Sequence, residues 1–158
     1  MSSLVTIGEC QVGLGLFAAA DIRGGSAIFK FHGEILRTTQ VEALGDAACY
    51  PIQIGPTEYL DPQPPGRYIN HSCVPNTGIC NSDELIALVE IPRGEELCFD
   101  YSTTMSERNW TMACRCGEAT CRKLIRDFGE LPITLQQRYL SLGIVQDFIV
   151  REIISGCT

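Results

Sequence analysis

The sequence contains no apolar run approaching the roughly 20 residues that a membrane-spanning helix needs, which excludes such a span and makes membrane association unexpected. Its first ten residues, MSSLVTIGEC, carry neither a basic lead nor an apolar core segment. A secretory leader is therefore not expected, and the location read from the sequence is intracellular, in cytoplasm or nucleus. Positive charge is scarce: 12 Lys and Arg stand against 19 Asp and Glu, giving a formal net charge of −7 and a pI near 4.8. A protein that grips nucleic acid by neutralising phosphates needs the opposite balance, so no direct nucleic-acid partner is expected. An acidic surface suits a basic partner instead, such as a lysine- and arginine-rich peptide. The even cysteine count of a closed disulfide framework is missing too. Nine cysteines without a leader point to metal ligation or reduced thiols.

What is present is an ordinary globular composition, 45% hydrophobic and 20% charged, in 158 residues. That length suffices for one domain with a real core. The first hundred residues read as short strands between glycine turns. AIFKFHGEIL alternates Ile28, Lys30 and His32 against Phe29 and Phe31, the period of a half-buried strand. YPIQI, LIALVEI and ELCFDYS are further short apolar runs. ADIRGGSAIFKF and VEIPRGEELCFDY echo each other, as two similar hairpin-like turns rather than a repeat architecture. After Tyr101 the pattern changes. PITLQQRYLSLG carries Leu135, Tyr139 and Leu142 at helical spacing and stops at Gly143, and IVQDFIVREII sets Ile144, Val145, Phe148, Ile149 and Ile153 on one stripe. Two short amphipathic helices packed on the sheet domain are expected.

Four stretches carry chemistry. CRCGEATC supplies Cys114, Cys116 and Cys121, three thiolates in one small loop; structural zinc takes four ligands, so a fourth must come from elsewhere. The scattered Cys10, Cys49, Cys80, Cys98 and Cys157 read as small buried hydrophobes. Gly13 and Gly15 flank Leu14, but the spacing is not that of a phosphate loop and no lysine follows. What remains is close backbone approach to a small ligand, or a tight turn. RYINHSCVPN crowds Arg67, Asn70, His71, Ser72 and Cys73 together. It suits a cysteine nucleophile beside a histidine, a pair of zinc ligands, or a turn around a polar cofactor. GEELCFDYS places Phe99 and Tyr101 two positions apart, on one face of an expected strand.

Taken in order, G-x-G, Tyr50, RYINHSCVPN, GEELCFDY and C-x-C-x4-C resemble the SET-domain protein lysine methyltransferases with a post-SET zinc motif, over roughly residues 5 to 125. The resemblance implies a mostly β fold with some α: several small curved sheets, a knot-like C-terminal segment, a post-SET zinc loop and two C-terminal helices. The expected division is a SET domain at 1–105, the zinc loop at 106–125 and a helical extension at 126–158. It implies S-adenosyl-L-methionine held by Gly13, Leu14, Gly15, Tyr50, Arg67, Asn70 and His71, with Arg115 near the adenine and Leu124 just beyond. It implies one structural zinc ion on Cys73, Cys114, Cys116 and Cys121, which takes Cys73 away from any role as a nucleophile. Tyr101, Tyr50 and Phe99 take the catalytic positions, and phenylalanine at 99 leans towards di- or trimethylation.

The implied substrate is a basic lysine-containing protein or peptide, a histone or histone-like protein foremost; oligomeric state is not legible. A non-catalytic module that binds peptide or cofactor is the alternative. Some positions depart from the pattern. Gln63, Pro64, Gly66 and Tyr68 replace more usual residues before NHSC, Leu14 stands where tryptophan is common, and no cysteine-rich pre-SET region is seen ahead of the G-x-G strand. The C-terminal helices are expected to lend support in its place.

Overall fold

The structure, a computed structural model, describes residues 3–108 and 110–156; Cys157 lies outside the described residues. Strands β1 (Val5–Cys10) and β2 (Gly13–Ala18) form a hairpin that opens the chain. Then follow β3 (Ala27–Lys30), β4 (Gly33–Arg37), a short helix α1 (Thr38–Glu42), β5 (Ile52–Gln53), β6 (Glu58–Pro62) and β7 (Asn70–His71). Next come β8 (Thr77–Cys80), β9 (Glu84–Ala87), β10 (Glu96–Phe99), β11 (Met112–Ala113) and β12 (Leu124–Ile125), and the helices α2 (Ile133–Leu142) and α3 (Asp147–Gly156). They make four small sheets, ordered β1-β2-β10-β7, β3-β9-β8, β4-β6-β5 and β11-β12.

One pairing sets up the site. β7 runs parallel to β10, with Asn70 opposite Cys98 and His71 opposite Phe99. The Asn-His pair and the Phe-Asp-Tyr stretch, far apart in sequence, are thereby laid side by side. Asn76 locks this arrangement, donating from its side-chain amide to the Glu96 carbonyl (2.8 Å) and accepting from the Cys98 N–H (2.9 Å).

AIFKFHGEIL is not one strand. It divides into β3 and β4, which belong to different sheets. The Phe31 N–H still reaches the Asp83 carbonyl beside β9, whereas the His32 carbonyl receives the Gln63 N–H just past β6, so the chain changes sheets between them. Phe31 stays buried at the crossing. Nor does the strand through ELCFDYS continue to Tyr101. Asp100 turns its carboxylate onto the Ser102 N–H (3.1 Å) and caps a short 3-10 helix, Tyr101–Thr104, ending the strand at Phe99. The two echoing turns meet as a bridge between Ile22 and Ile91.

The main core gathers Leu16, Leu85, Ile91 and Leu97, all fully buried. Each such side chain contributes roughly 1.5–3 kcal/mol. A second cluster joins Phe128, Tyr139, Ile144, Val145, Phe148 and Ile149 to Ile86 and Leu88, so the C-terminal helices cover the β3-β9-β8 sheet. α2 buries Tyr139, half-buries Leu135 and stops at Gly143 in the left-handed conformation; Leu142, expected inward, is exposed. Ile144 and Val145 lie in the link before α3 but share its cluster. The reading of the scattered cysteines as buried is corrected: Cys10, Cys80 and Cys98 are half-buried and Cys49 is exposed. Cys10, Cys49 and Cys98 border an open cleft, which explains the difference.

Candidate active site

A cleft of about 1000 Å³ runs between the β1–β2 hairpin, the stretch from Arg67 to His71, the end of β10 and the cysteine loop. That volume is at the upper end of what small-molecule sites offer. Gly13, Leu14, Tyr50, Arg67, Asn70, His71, Phe99, Tyr101, Cys114, Arg115 and Cys116 all line it. The structure thus gathers into one cavity residues spread over a hundred positions. Gly15, Cys73, Cys121 and Leu124 are not among its walls.

Glycine at 13 and 15 serves two different purposes. Gly13 turns the hairpin at φ +117°, a conformation that L side chains rarely adopt. Gly15 makes room: a Cβ there would lie 2.5 Å from Glu96 Oε1 and 3.2 Å from both the Asn70 amide nitrogen and Cys10 Sγ. Into that space the Asn70 amide donates to the Leu14 carbonyl (3.0 Å), to Glu96 Oε1 (2.9 Å) and towards Cys10 Sγ (3.4 Å). Gly15 therefore acts through Asn70 rather than as a wall of the cleft. Glu96, which also lines the cleft, was not singled out in the sequence, where it is one of two adjacent glutamates.

Beside Asn70 and His71 the aromatic residues meet. The rings of Phe99 and Tyr101 lie 4.9 Å apart, and Tyr101 packs edge-on to His71 at 5.3 Å. The Tyr101 hydroxyl donates to the Ile69 carbonyl (2.8 Å). Burial, chiefly, and the neighbouring Cys98, Cys49 and Tyr50 push its pKa well above the usual tyrosine value, so it stays protonated. Tyr50 is 40% exposed at the cleft edge. The Arg67 guanidinium lies 4.2 Å over its ring and pairs with Asp61 at 2.8 Å. Arg67 thus borders the cleft and fixes Tyr50 by a cation–π contact.

The cysteines converge. The Sγ atoms of Cys73, Cys114, Cys116 and Cys121 lie within 4.8 Å of one another, with Cys73 and Cys114 at 3.7 Å. Tetrahedral zinc with Zn–S near 2.3 Å requires sulfur separations of about 3.8 Å, so these four thiols can hold one zinc ion. Backbone N–H groups of Arg122 and Lys123 point at Cys73 and Cys121 Sγ, each at 3.4 Å, as thiolates would require. Desolvation opposes ionisation of Cys116. Hydrogen bonds from the Cys73 and Glu118 backbone and from the Cys114 and Cys121 thiols outweigh it and bring its pKa down to about 7.

His71 belongs to this cluster as much as to the cleft. Its Nδ1 accepts the Tyr101 N–H (3.0 Å), which places the proton on Nε2, facing Cys73 Sγ at 3.4 Å. Burial is the main influence on the imidazole and lowers its pKa to about 4; Asp100 opposes that shift and Arg122 adds to it. His71 is therefore neutral at pH 7. It links Cys73 to the backbone of Tyr101, the arrangement that an outer-shell histidine partner has.

Leu124 itself is not among the cleft walls. β12 pairs with β11, and the strand alternation turns Ile125, opposite Met112, to the cleft instead. Trp110, Met112 and Ala113 complete that wall. Asp100, Arg122 and Tyr139 were likewise not read as site residues, yet they form a buried network behind the cleft. An Asp-Tyr pair, a basic residue after the last cysteine and a tyrosine on an apolar stripe gave no sign that they meet.

Comparison with known proteins places these observations. Residues 13–102 match the family described as SET domain. Histone-lysine N-methyltransferase trr of Drosophila melanogaster is 34% identical over 127 residues, covering 70% of this chain but 5% of that protein. Histone-lysine N-methyltransferase 2D of Homo sapiens is 31% identical over 127 residues, covering 70% of this chain and 2% of that protein. This chain therefore spans a small fraction of the length of these relatives. In fold it resembles Arabidopsis thaliana SUVH6 in complex with SAM, with a TM-score of 0.65, 24% identity, and coverage of 80% of this chain and 33% of that one. It also resembles ctPRC2 in an autoinhibited conformation bound to S-adenosylmethionine, with a TM-score of 0.56, 26% identity, and coverage of 66% and 16%. The cysteine loop and both C-terminal helices lie outside the residues matched to the family.

Proposed function

The chain belongs to the SET-domain family, and from that premise we propose that it transfers the methyl group of S-adenosyl-L-methionine to the side-chain amine of lysine in a basic protein, a histone or histone-like protein. The observation that carries this reading is one cleft lined by both the Asn70–Leu14 cradle and the Phe99–Tyr101 pair. Its contents match the needs of the reaction. When bound, the donor supplies an electrophilic methyl on a sulfonium. Asn70, its amide already committed to Leu14 and Glu96, offers Oδ1 as an acceptor to a cationic ligand end. Arg115 and the Met112–Ile125 pair frame the side towards the cysteine loop.

The incoming amine must arrive neutral and aligned. Free lysine has a pKa of about 10.4, and a narrow aromatic passage disfavours its ammonium form. Tyr101 orients the amine: its proton is donated to the Ile69 carbonyl, which leaves its oxygen free to act as an acceptor. Since that hydroxyl is held protonated, it is not the base. Tyr50 and Phe99 supply ring faces that accommodate a methylated ammonium. The four thiols, His71 and the ion they would hold fix the cysteine loop over the cleft, and no reacting atom needs to touch the metal.

Phenylalanine at 99 has no hydroxyl to occupy the passage, and it supports di- or trimethylated product. Mass spectrometry of a histone panel incubated with the protein and donor tests both levels of the proposal. Methylated lysine is expected, with di- and trimethyl forms accumulating. Product that halts at monomethyl-lysine refutes the part assigned to Phe99, and unmodified histones refute the histone-like substrate.

A further inference from the structure

Asp100 lies immediately before Tyr101, and its side chain is fully buried. A carboxylate in that position is tolerated only if donors surround it. Arg122 Nη2 reaches Oδ1 at 2.8 Å and the Ser102 N–H reaches the same oxygen at 3.1 Å. Oδ2 receives the Tyr139 hydroxyl at 2.9 Å. The donors come from three stretches: the 3-10 turn of Tyr101, the residue after Cys121, and α2. Tyr139 is itself 2% exposed, a phenol set into an otherwise apolar helix face.

Arg122 has a second attachment. Its backbone N–H points at Cys73 Sγ, so the residue whose side chain is held by Asp100 also holds a cysteine of the cluster. A chain of contacts thus runs from α2 through Asp100 and Arg122 to the cysteine cluster, and through His71 to the Tyr101 backbone. We propose that Tyr139 is a positioning residue of the site: through Asp100 and Arg122 it holds the cysteine loop in place, which makes the C-terminal helices part of the site's assembly. This rests on the methyltransferase reading only for its consequence in turnover.

Without the phenol hydroxyl, Oδ2 of a buried carboxylate loses its donor, a loss not recovered elsewhere in a dry interior. The Arg122 fork is the mobile donor available to it, and its shift towards Oδ2 draws the Arg122 backbone away from Cys73. Loss of such outer-shell partners lowers metal affinity or activity about 10- to 100-fold.

The test uses the full zinc-loaded chain and three readouts: zinc release to excess chelator, donor affinity by titration calorimetry, and KM and kcat for transfer. Tyr139→Phe keeps the ring in the helical core and removes only the hydroxyl. It is expected to release zinc about ten-fold faster and bind donor about ten-fold more weakly, with KM for the donor rising more than kcat falls. Ile149→Val loosens the same core without touching Asp100 and is expected to match the wild type in all three. A Tyr139→Phe protein that keeps wild-type zinc release and donor affinity overturns the proposal. So does Ile149→Val that accelerates release equally, since general loosening then accounts for the effect. Wild-type chain that takes up no zinc also overturns it. Zinc release and donor binding need no turnover. A chain that shows the expected Tyr139 effect yet methylates nothing supports the positioning role while refuting the methyltransferase reading.

Discussion

Tyr101 carries the most specific expectation at the scale of single residues. Its hydroxyl is part-buried at the cleft, donates to the Ile69 carbonyl and is held protonated. On the proposed reading, rate is expected to rise with pH as the substrate lysine loses its proton, and not because Tyr101 ionises. Tyr101→Phe is expected to lower kcat/KM on the order of 100-fold, the cost of losing one oriented polar group in a preorganised site, while preserving the rising limb of the pH profile. A limb that disappears in the variant would instead make Tyr101 the base. His71 shows how far the sequence speaks at this scale. Its adjacency to Cys73 suggested a nucleophile pair, a ligand pair or a cofactor contact. Its part as a bridge between Cys73 and Tyr101 depends on the parallel pairing of β7 with β10, a contact across thirty positions that no local pattern encodes.

Among the elements, the cysteine loop is the clearest case of chemistry legible before structure. Three cysteines at C-x-C-x4-C announce a ligand set, and folding brings Cys73 to them. Cys116→Ser is expected to lower zinc content and to weaken donor binding with it, since Cys114, Arg115 and Cys116 all border the cleft. Metal analysis of the purified variant checks this; unchanged zinc content contradicts the four-cysteine assignment. The C-terminal helices were legible too, because apolar spacing and a glycine stop are local signals. The strands were legible only as apolar runs. Where AIFKFHGEIL changes sheets at Phe31–His32, and where ELCFDYS leaves the strand at Asp100, the deciding contacts are Asp83, Gln63 and a side-chain cap. Period-two alternation continues through both points and cannot mark them. The face that Leu124 presents is likewise set by its pairing with β11, which lies outside any local pattern.

For the molecule as a whole, charge and architecture point the same way. A net charge of −7 on a chain that would act on a basic segment implies attraction beyond contact range. KM for a histone-type substrate is expected to rise with ionic strength, because exposed charges are screened beyond about 8 Å at physiological salt. Steady-state kinetics in increasing salt, with donor saturating, measures this; a KM indifferent to salt would remove charge from the recognition. The hydrophobic core, the cysteine cluster and the helices are not independent parts. Asp100 joins all three through Tyr101, Arg122 and Tyr139, and none of these links follows from composition. The most direct test of the central claim is transfer of labelled methyl from S-adenosyl-L-methionine to a panel of histones and lysate proteins, run beside Tyr101→Phe. The account predicts label on lysine that falls away in the variant while zinc and donor binding persist. A zinc-loaded, donor-binding chain that labels no protein in the panel, or label that survives Tyr101→Phe, would contradict it.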